Sequence, residues 1–437
     1  MKEVELKLSL DDGFELPVLE PAATGVAAVR EHPPADLKST YFDTSDLRLA
    51  RNGITLRHRT GEGERDGWTL KLPQDGADGR DAAVREEIYF PGDGGRPPRE
   101  AVNLVTAYVR GSSLGPVAKI QTQRRRWGLN DESGGELAEL AADEVSVLDN
   151  RRKVVLFREL ELEARALGRK GLERIAGELA KVGATPSEPT PKLVRVLGEQ
   201  AAAPPDLVPS RGPRPKDPAG EAVRSALVTG TARLVANDPG TRLGEVEPLH
   251  QMRVALRRLR SDIRTFSPLI DEAWAADVVP ELRWLGRALG AVRDLDVLLE
   301  RLREAADGSE SDLAPLFESL ESSRSQKHRD LLKSLSSKRF ERLVDTLTAA
   351  ALDPPLTELA SGPCAEILPP LAEKAWRKLE KRVAKTPATA PAGDLHRVRI
   401  YVKRVRYAAE AIGPSLGGKK AKRGRRFAAR AAALQDV

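Results

Sequence analysis

The chain has 437 residues, 40% of them hydrophobic and only 4% aromatic. That length exceeds one ordinary core and predicts two or three domains, built on Leu, Val and Ala. The single cysteine, Cys364, excludes an internal disulfide and fits a reducing compartment. No basic and apolar leader follows Met1, and no run of about 18 apolar residues occurs, so a soluble cytoplasmic protein is expected. The net charge of +6 hides an asymmetry. From Arg211 onward 41 Lys and Arg face 30 Asp and Glu, a net of +11, whereas the residues before it carry 30 against 35. The basic half predicts a polyanionic partner, and charge alone leaves nucleic acid, anionic lipid and polyphosphate open.

Short alternating runs come first: Glu3–Leu8, Ile54–Arg59, Trp68–Leu72, Arg85–Phe90, Lys119–Arg126, Glu136–Ala141 and Val154–Glu163. Gly, Asp and Pro clusters separate them, as they separate antiparallel strands. A helix is predicted over Lys170–Val182. Six prolines between Ala201 and Gly220 read as an extended linker. Beyond it the pattern is helical. The expected domains are therefore residues 1–200, a linker over 201–218 and a helical domain over 219–437.

Alternation puts charge on one face of several strands. Glu3, Glu5 and Lys7 share a face opposite Val4, Leu6 and Leu8. The same holds for Arg57 with Arg59, Thr69 with Lys71, Arg85 with Glu87, Arg124 with Arg126, and Glu159 with Glu161 and Glu163. Taken singly, each is an ordinary half-buried strand with a solvated charged face. Taken together they segregate by sign, which a solvated face has no reason to do. Carboxylates suit hard divalent ions, and arginine forks suit phosphate oxygens.

These residues resemble the CYTH, or triphosphate tunnel metalloenzyme, superfamily. Glu3-x-Glu5-x-Lys7 matches its opening signature. Tyr41-Phe42-Asp43-Thr44, Leu56-Arg57-x-Arg59, Trp68-Thr69-Leu70-Lys71-Leu72, Arg85-Glu86-Glu87, Lys119-x-x-Thr122-x-Arg124, Glu139-x-x-x-Asp143-Glu144 and Glu159-x-Glu161-x-Glu163 follow in order. The resemblance implies an eight-stranded antiparallel tunnel with charged residues inside. It implies Glu3, Glu5, Asp143, Glu161 and Glu163 as ligands of Mg²⁺ or Mn²⁺. Lys7, Arg57, Arg59, Lys71, Arg124, Arg126 and Lys192 become the phosphate cradle. Glu3 or Glu159 becomes the group that orients the attacking water, and Glu3, Glu5, Lys7, Glu159 and Glu161 form the catalytic set. The triple Glu159/Glu161/Glu163 leaves the ligand register open by one pair, with Glu161 in both.

The helical half repeats itself. Leu249-His250-x-Met252-Arg253 returns as Leu395-His396-x-Val398-Arg399. His250, Arg253, Arg257, Arg260 and Arg264 form one helical stripe, and His396, Arg399, Lys403, Arg406 and Glu410 form its counterpart. Apolar stripes run alongside: Leu249, Met252, Leu256, Leu259, Ile263 and Phe266, then Leu395, Val398, Val402, Val405, Ala409 and Ile412. A basic stripe almost without acids gains no pairing along the helix and marks an anion site. The pattern, with Leu289-Gly290-x-x-Arg293-Asp294-x-Asp296, resembles the CHAD domain, which is associated with polyphosphate. It implies an all-α bundle with an internal pseudo-two-fold repeat.

The expected function is metal-dependent hydrolysis of inorganic triphosphate, with polyphosphate held by His250, Arg253, Arg257, Arg260, His396, Arg399, Lys403 and Arg406. The expected place is the cytoplasm, with polyphosphate granules as the site of association. A non-catalytic polyphosphate-binding protein and a nucleic-acid binder are the alternatives; the second lacks aromatic residues interleaved with the basic stripe. The second repeat reaches Leu434 in near register with the first and stops. It therefore predicts a truncated second half, with an exposed apolar face around Val402, Val405 and Ile412.

Overall fold

The computed structural model describes residues 2–10, 14–73, 84–149, 152–187, 190–306, 313–387 and 389–433. The chain divides into two compact units, Met1–Pro205 and Asp206–Val437. The first is built on strands β1 (Lys2–Ser9), β2 (Ala28–Asp43), β3 (Thr55–Thr60), β4 (Gly67–Pro73), β5 (Val84–Phe90), β6 (Gly115–Asn130), β7 (Glu136–Asp149), β8 (Arg152–Ala164) and β9 (Thr185–Pro186). They form one sheet in the order β5-β4-β3-β2-β6-β7-β8-β1-β9. An antiparallel pairing of β1 with β5, Lys2 opposite Glu86 and Val4 opposite Val84, closes it. Among the described residues nine strands stand where eight were expected. The ninth is a two-residue segment added beside Leu8 and Ser9.

Period-two alternation decides what each face meets. Leu8 of β1, Leu160 and Leu162 of β8, Leu140 of β7 and Leu129 of β6 form one buried cluster with Leu172, Ile175 and Leu179. The last three come from the helix Arg169–Ala180, close to the predicted span. Their spacing gives that helix one apolar stripe, and each fully buried aliphatic side chain contributes about 2 kcal/mol. The helix thus covers the apolar face, and the charged face of the same strands turns to the other side. β2 was not anticipated. Its residues Pro33 and Pro34 fall where the register with β6 shifts between His32 and Ala35, so an irregularity absorbs residues that cannot join a regular ladder.

The helices of the second unit include Gly220–Ala236, Val246–Thr265, Glu272–Ala306, Ala314–Leu335, Lys338–Leu352, Cys364–Val383, Ala392–Ile412 and Gly418–Ala433. The proline-rich stretch before them is tied to this unit by backbone hydrogen bonds from Cys364 to Asp217 and from Ala365 to Pro215. The first apolar stripe is core: Leu249, Met252, Leu256, Leu259 and Ile263 are all buried. The second differs from expectation. Val405 and Ile412 are buried on a helix against which Cys364–Val383 and Gly418–Ala433 pack, Val402 is half-buried, and Leu395 is the exposed position of the stripe. Leu434 and the residues after it lie outside the described residues.

One buried acid gives the second unit a pH dependence. Asp262 is 3% exposed, and its Oδ2 accepts from Arg258 Nε at 3.1 Å, while its Oδ1 has no hydrogen bond among the described residues. Burial pushes its pKa up to about 7, against the pull of Arg258. A carboxyl raised on folding costs stability progressively as pH climbs from about 4 to about 7, because over that range the unfolded chain has released a proton that the native state still holds. Asp262→Asn is therefore expected to raise the Tm of this unit by roughly 5 °C at pH 8, and the gain should shrink as the pH is lowered towards 4. Calorimetric melting at the two pH values checks this.

Candidate functional site

The rungs of the first sheet align the charged residues across strands. Arg124 of β6 lies opposite Asp143 of β7, and Asp143 opposite Glu159 of β8. One rung on, Arg126 lies opposite Ala141, Ala141 opposite Glu161, and Glu161 opposite Lys7 of β1.

Asp143, Glu159 and Glu161 converge, each offering an oxygen within 4.8 Å of the others. Cations surround them. Arg124 makes a two-pronged contact with Asp143 at 2.7 and 2.6 Å and reaches Glu161 at 2.7 Å. Lys7 Nζ is 3.0 Å from Glu161 and 3.8 Å from Glu5. Lys192 begins a short helix, Lys192–Leu197, and its Nζ lies 2.7–2.8 Å from oxygens of all three acids. Arg195, on the same helix, contacts Glu159 at 2.7 Å and stacks over the ring of Phe157. Burial alone would drive the carboxyls towards protonation; instead Lys192, Lys7 and Arg124 hold Glu161 well below the usual range, and Lys192 and Arg124 lower Asp143. Burial likewise works against the Lys192 ammonium, and Asp143, Glu161 and Glu159 overcome it and raise its pKa.

A second group of cations lies around Tyr41 of β2. Tyr41 faces Arg57, and Ser39 faces Arg59, across the β2–β3 ladder. Burial disfavours the phenolate, but Arg57 and Arg59 outweigh it and lower the Tyr41 pKa. Burial, then the guanidiniums of Arg57 and Arg124, lowers that of Arg59. Lys71 pairs with Glu87 at 2.9 Å, and Arg57 approaches the same acid at 3.8 Å. The Nε atoms of Arg57 and Arg126 are buried without a hydrogen-bond acceptor among the described residues.

Other predicted site residues fall elsewhere. Glu163 turns to Arg165 at 2.7 Å, and burial raises its pKa despite that partner. Glu159, expected as an alternative in the register, is the residue that joins Asp143 and Glu161. Glu3 lies on β1 opposite Arg85 in backbone register, and its side chain is outside the described residues.

In the second unit His250, Arg253, Arg257 and Arg260 share one face of Val246–Thr265. Burial and the neighbouring Arg293 lower the His250 pKa; burial and Arg283 lower that of Arg260; burial and Arg404 lower that of Arg264. The stripe is therefore widened by Arg283 and Arg293 from Glu272–Ala306 and by Arg404 from Ala392–Ile412. Gly290 belongs to this arrangement: a Cβ there would stand 2.8 Å from Arg253 Nη1, so glycine lets that arginine lie against the helix. Arg253 then reaches Asp294 at 3.0 Å, and Asp296 holds Arg324 at 2.5 Å. Arg257 Nε and Arg404 Nε are buried without acceptors among the described residues. In the second repeat His396 and Arg399 are exposed, Lys403 is half-buried, and Arg406 pairs with Glu410 at 3.5 Å.

Comparison with known proteins matches both units. A CYTH domain covers residues 1–182 and a CHAD domain residues 225–437. Two curated relatives from Mycobacterium tuberculosis, each described as an uncharacterized protein, are 33% identical over 452 residues; the match covers 96% of this chain and 84% of theirs. The chain belongs to the CYTH–CHAD family. Among solved structures, the CHAD domain of the plant Ricinus communis is 29% identical, with a TM-score of 0.45, covering 54% of this chain and 78% of that one. PptA from Streptomyces chartreusis is 25% identical, with a TM-score of 0.40, covering 50% and 85%. CYTH domains are metalloenzymes that bind triphosphate substrates, and family members act as triphosphatases or cyclases. No helix among the described residues is long and apolar enough to cross a membrane.

Several residues of the candidate site escaped the sequence reading. Arg195 was missed because the helix that carries it, Lys192–Leu197, is too short to show a period in sequence. Tyr41 and Glu87 were noted as motif residues without a role. In the CHAD unit Arg283, Arg293 and Arg404 join the basic face through tertiary packing, which no single-helix stripe reveals.

Proposed function

We propose that the CYTH domain hydrolyses inorganic triphosphate with Mg²⁺ or Mn²⁺, and that the CHAD domain binds polyphosphate. One observation supports this above others: the sheet that carries a trio of converging carboxylates also carries two arginines, Arg57 and Arg126, whose buried Nε–H donors have no acceptor among the described residues. Burying such donors costs free energy unless an acceptor is supplied, and phosphate oxygens are acceptors of the right charge. Asp143, Glu159 and Glu161 offer hard oxygens of the kind a divalent ion takes, and Glu159 Oε1 is itself buried without a hydrogen bond among the described residues. When bound there, the ion would supply Lewis-acid stabilisation of phosphoryl oxygens.

The chain's own residues do the rest. Arg57, Arg59, Lys71, Arg124 and Arg126 bind and orient the anion. They stabilise the charge that moves onto pyrophosphate as it leaves. Glu3 or Glu159 orients the attacking water. On the CHAD unit the stripe from His250 to Arg264, widened by Arg283, Arg293 and Arg404, offers a polyanion a basic surface, and the helix Ala392–Ile412 adds His396, Arg399, Lys403 and Arg406. A tunnel that only binds polyphosphate is the competing reading, and binding without phosphate release would favour it.

Ligand-induced stabilisation tests the binding half of this proposal. Triphosphate with Mn²⁺ at about 100 times its Kd should stabilise the CYTH unit by about 2.7 kcal/mol. The corresponding rise in Tm should disappear in an Arg57→Ala, Arg126→Ala double variant. An equal rise in both proteins would place the ligand elsewhere.

A further inference from the structure

The carboxylates suited to a divalent ion are already served by an ammonium. Lys192 Nζ stands 2.8 Å from Asp143 Oδ2, 2.7 Å from Glu159 Oε1 and 2.8 Å from Glu161 Oε1. Of these three approaches only that to Glu161 has hydrogen-bond geometry, which leaves Glu159 Oε1 in ionic contact but unserved by a hydrogen bond. A metal ion needs the same oxygens and cannot share them with an ammonium at contact distance.

Charge points the same way. Arg124, Lys7 and Arg195 also lie on these three acids. With Glu5, 3.8 Å from Lys7, four cations therefore face four carboxylates before any metal arrives, in a place where Lys192 is 7% and Glu159 1% exposed. A doubly charged ion entering alone would add uncompensated positive charge to a poorly solvated cluster. A triphosphate entering with it removes that obstacle and gives the ammonium new oxygens. The backbone need not move for this. Leu193, 1% exposed, packs in one cluster with Tyr41, Ile120 and Val145 and anchors the helix, while the four-carbon stem of Lys192 can re-aim its Nζ.

We propose that Lys192 is the resident counter-cation of the Asp143–Glu159–Glu161 trio, and that it yields these oxygens to a divalent ion only when a triphosphate takes the ammonium in exchange. Metal and triphosphate then bind as mutually dependent ligands. The proposal rests on reading the tunnel as a triphosphate site, but its test does not use hydrolysis.

Free Mn²⁺ is followed by electron paramagnetic resonance while it is titrated with the full chain, without phosphate. Lys192→Gln should bind Mn²⁺ at least about 10-fold more tightly than the native chain, and Lys192→Arg, which keeps the cation, should not. Equal or weaker binding by Lys192→Gln overturns the proposal. If that variant loses its cooperative melting transition, the native chain decides by calorimetry. The preformed Mn²⁺–imidotriphosphate complex should then bind at least about 10-fold more tightly than Mn²⁺ alone; equal affinities overturn it. Phosphate release judges the triphosphatase reading separately, so either idea can fail while the other stands.

Discussion

Replacing Glu161 by Gln should lower kcat/KM for triphosphate by about 10³-fold, or about 4 kcal/mol of transition-state stabilisation, while Glu163→Gln should change it by less than about 3-fold. The two residues are two positions apart on one strand and look equivalent in sequence. Their surroundings differ. Glu161 is shared by Lys7, Arg124 and Lys192, with oxygens beside Asp143 and Glu159. Glu163 is turned to Arg165. Loss of the Glu161 carboxylate removes a ligand and leaves buried cations less compensated, so melting of each variant must accompany its kinetics. Equal losses in the two variants would mean that the ligand register is set differently.

Polyphosphate binding by the full chain should fall by about 10²- to 10³-fold between 50 and 200 mM salt, because each phosphate contact releases counterions. The surface is a face shared by three helices, so its residues act together. Arg257→Ala with Arg404→Ala should weaken binding and lower the slope of log affinity against log salt by roughly one to two units. Both side chains have a buried Nε without an acceptor among the described residues, which makes them strong candidates for direct contact. A steeper or unchanged slope, or tighter binding of duplex DNA than of polyphosphate, would contradict the assignment.

How much of this was legible in sequence depends on the range of the interaction. Alternation along β1 and β8 was visible, since a strand's faces follow from period two alone. It did not say which face points inward: a solvated charged face and a tunnel-lining one have the same pattern. The helix Arg169–Ala180, whose Leu172, Ile175 and Leu179 cover the apolar side, resolves that. β2 was not recognised because Pro33 and Pro34 interrupt it, at the point where its register with β6 shifts. The register Asp143–Glu159–Glu161 was open by one pair, because strand pairing rather than composition decides which glutamate faces Asp143. Lys192 came from resemblance alone, since a six-residue helix is too short to show a period. In the second unit the stripe of Val246–Thr265 was readable. The exposed Leu395 and buried Val405 were not distinguishable until the neighbouring helices were in place.

The central claim is that the acidic and basic residues of the first unit act as one metal-dependent triphosphate site. Phosphate release from inorganic triphosphate by the full chain, with Mg²⁺, with Mn²⁺ and with chelator, tests it most directly. The account predicts release with either ion, little or none in chelator, and a loss of about 10³-fold in Glu161→Gln. Release unaffected by chelator, or none above the Glu161→Gln background with either ion, would contradict it.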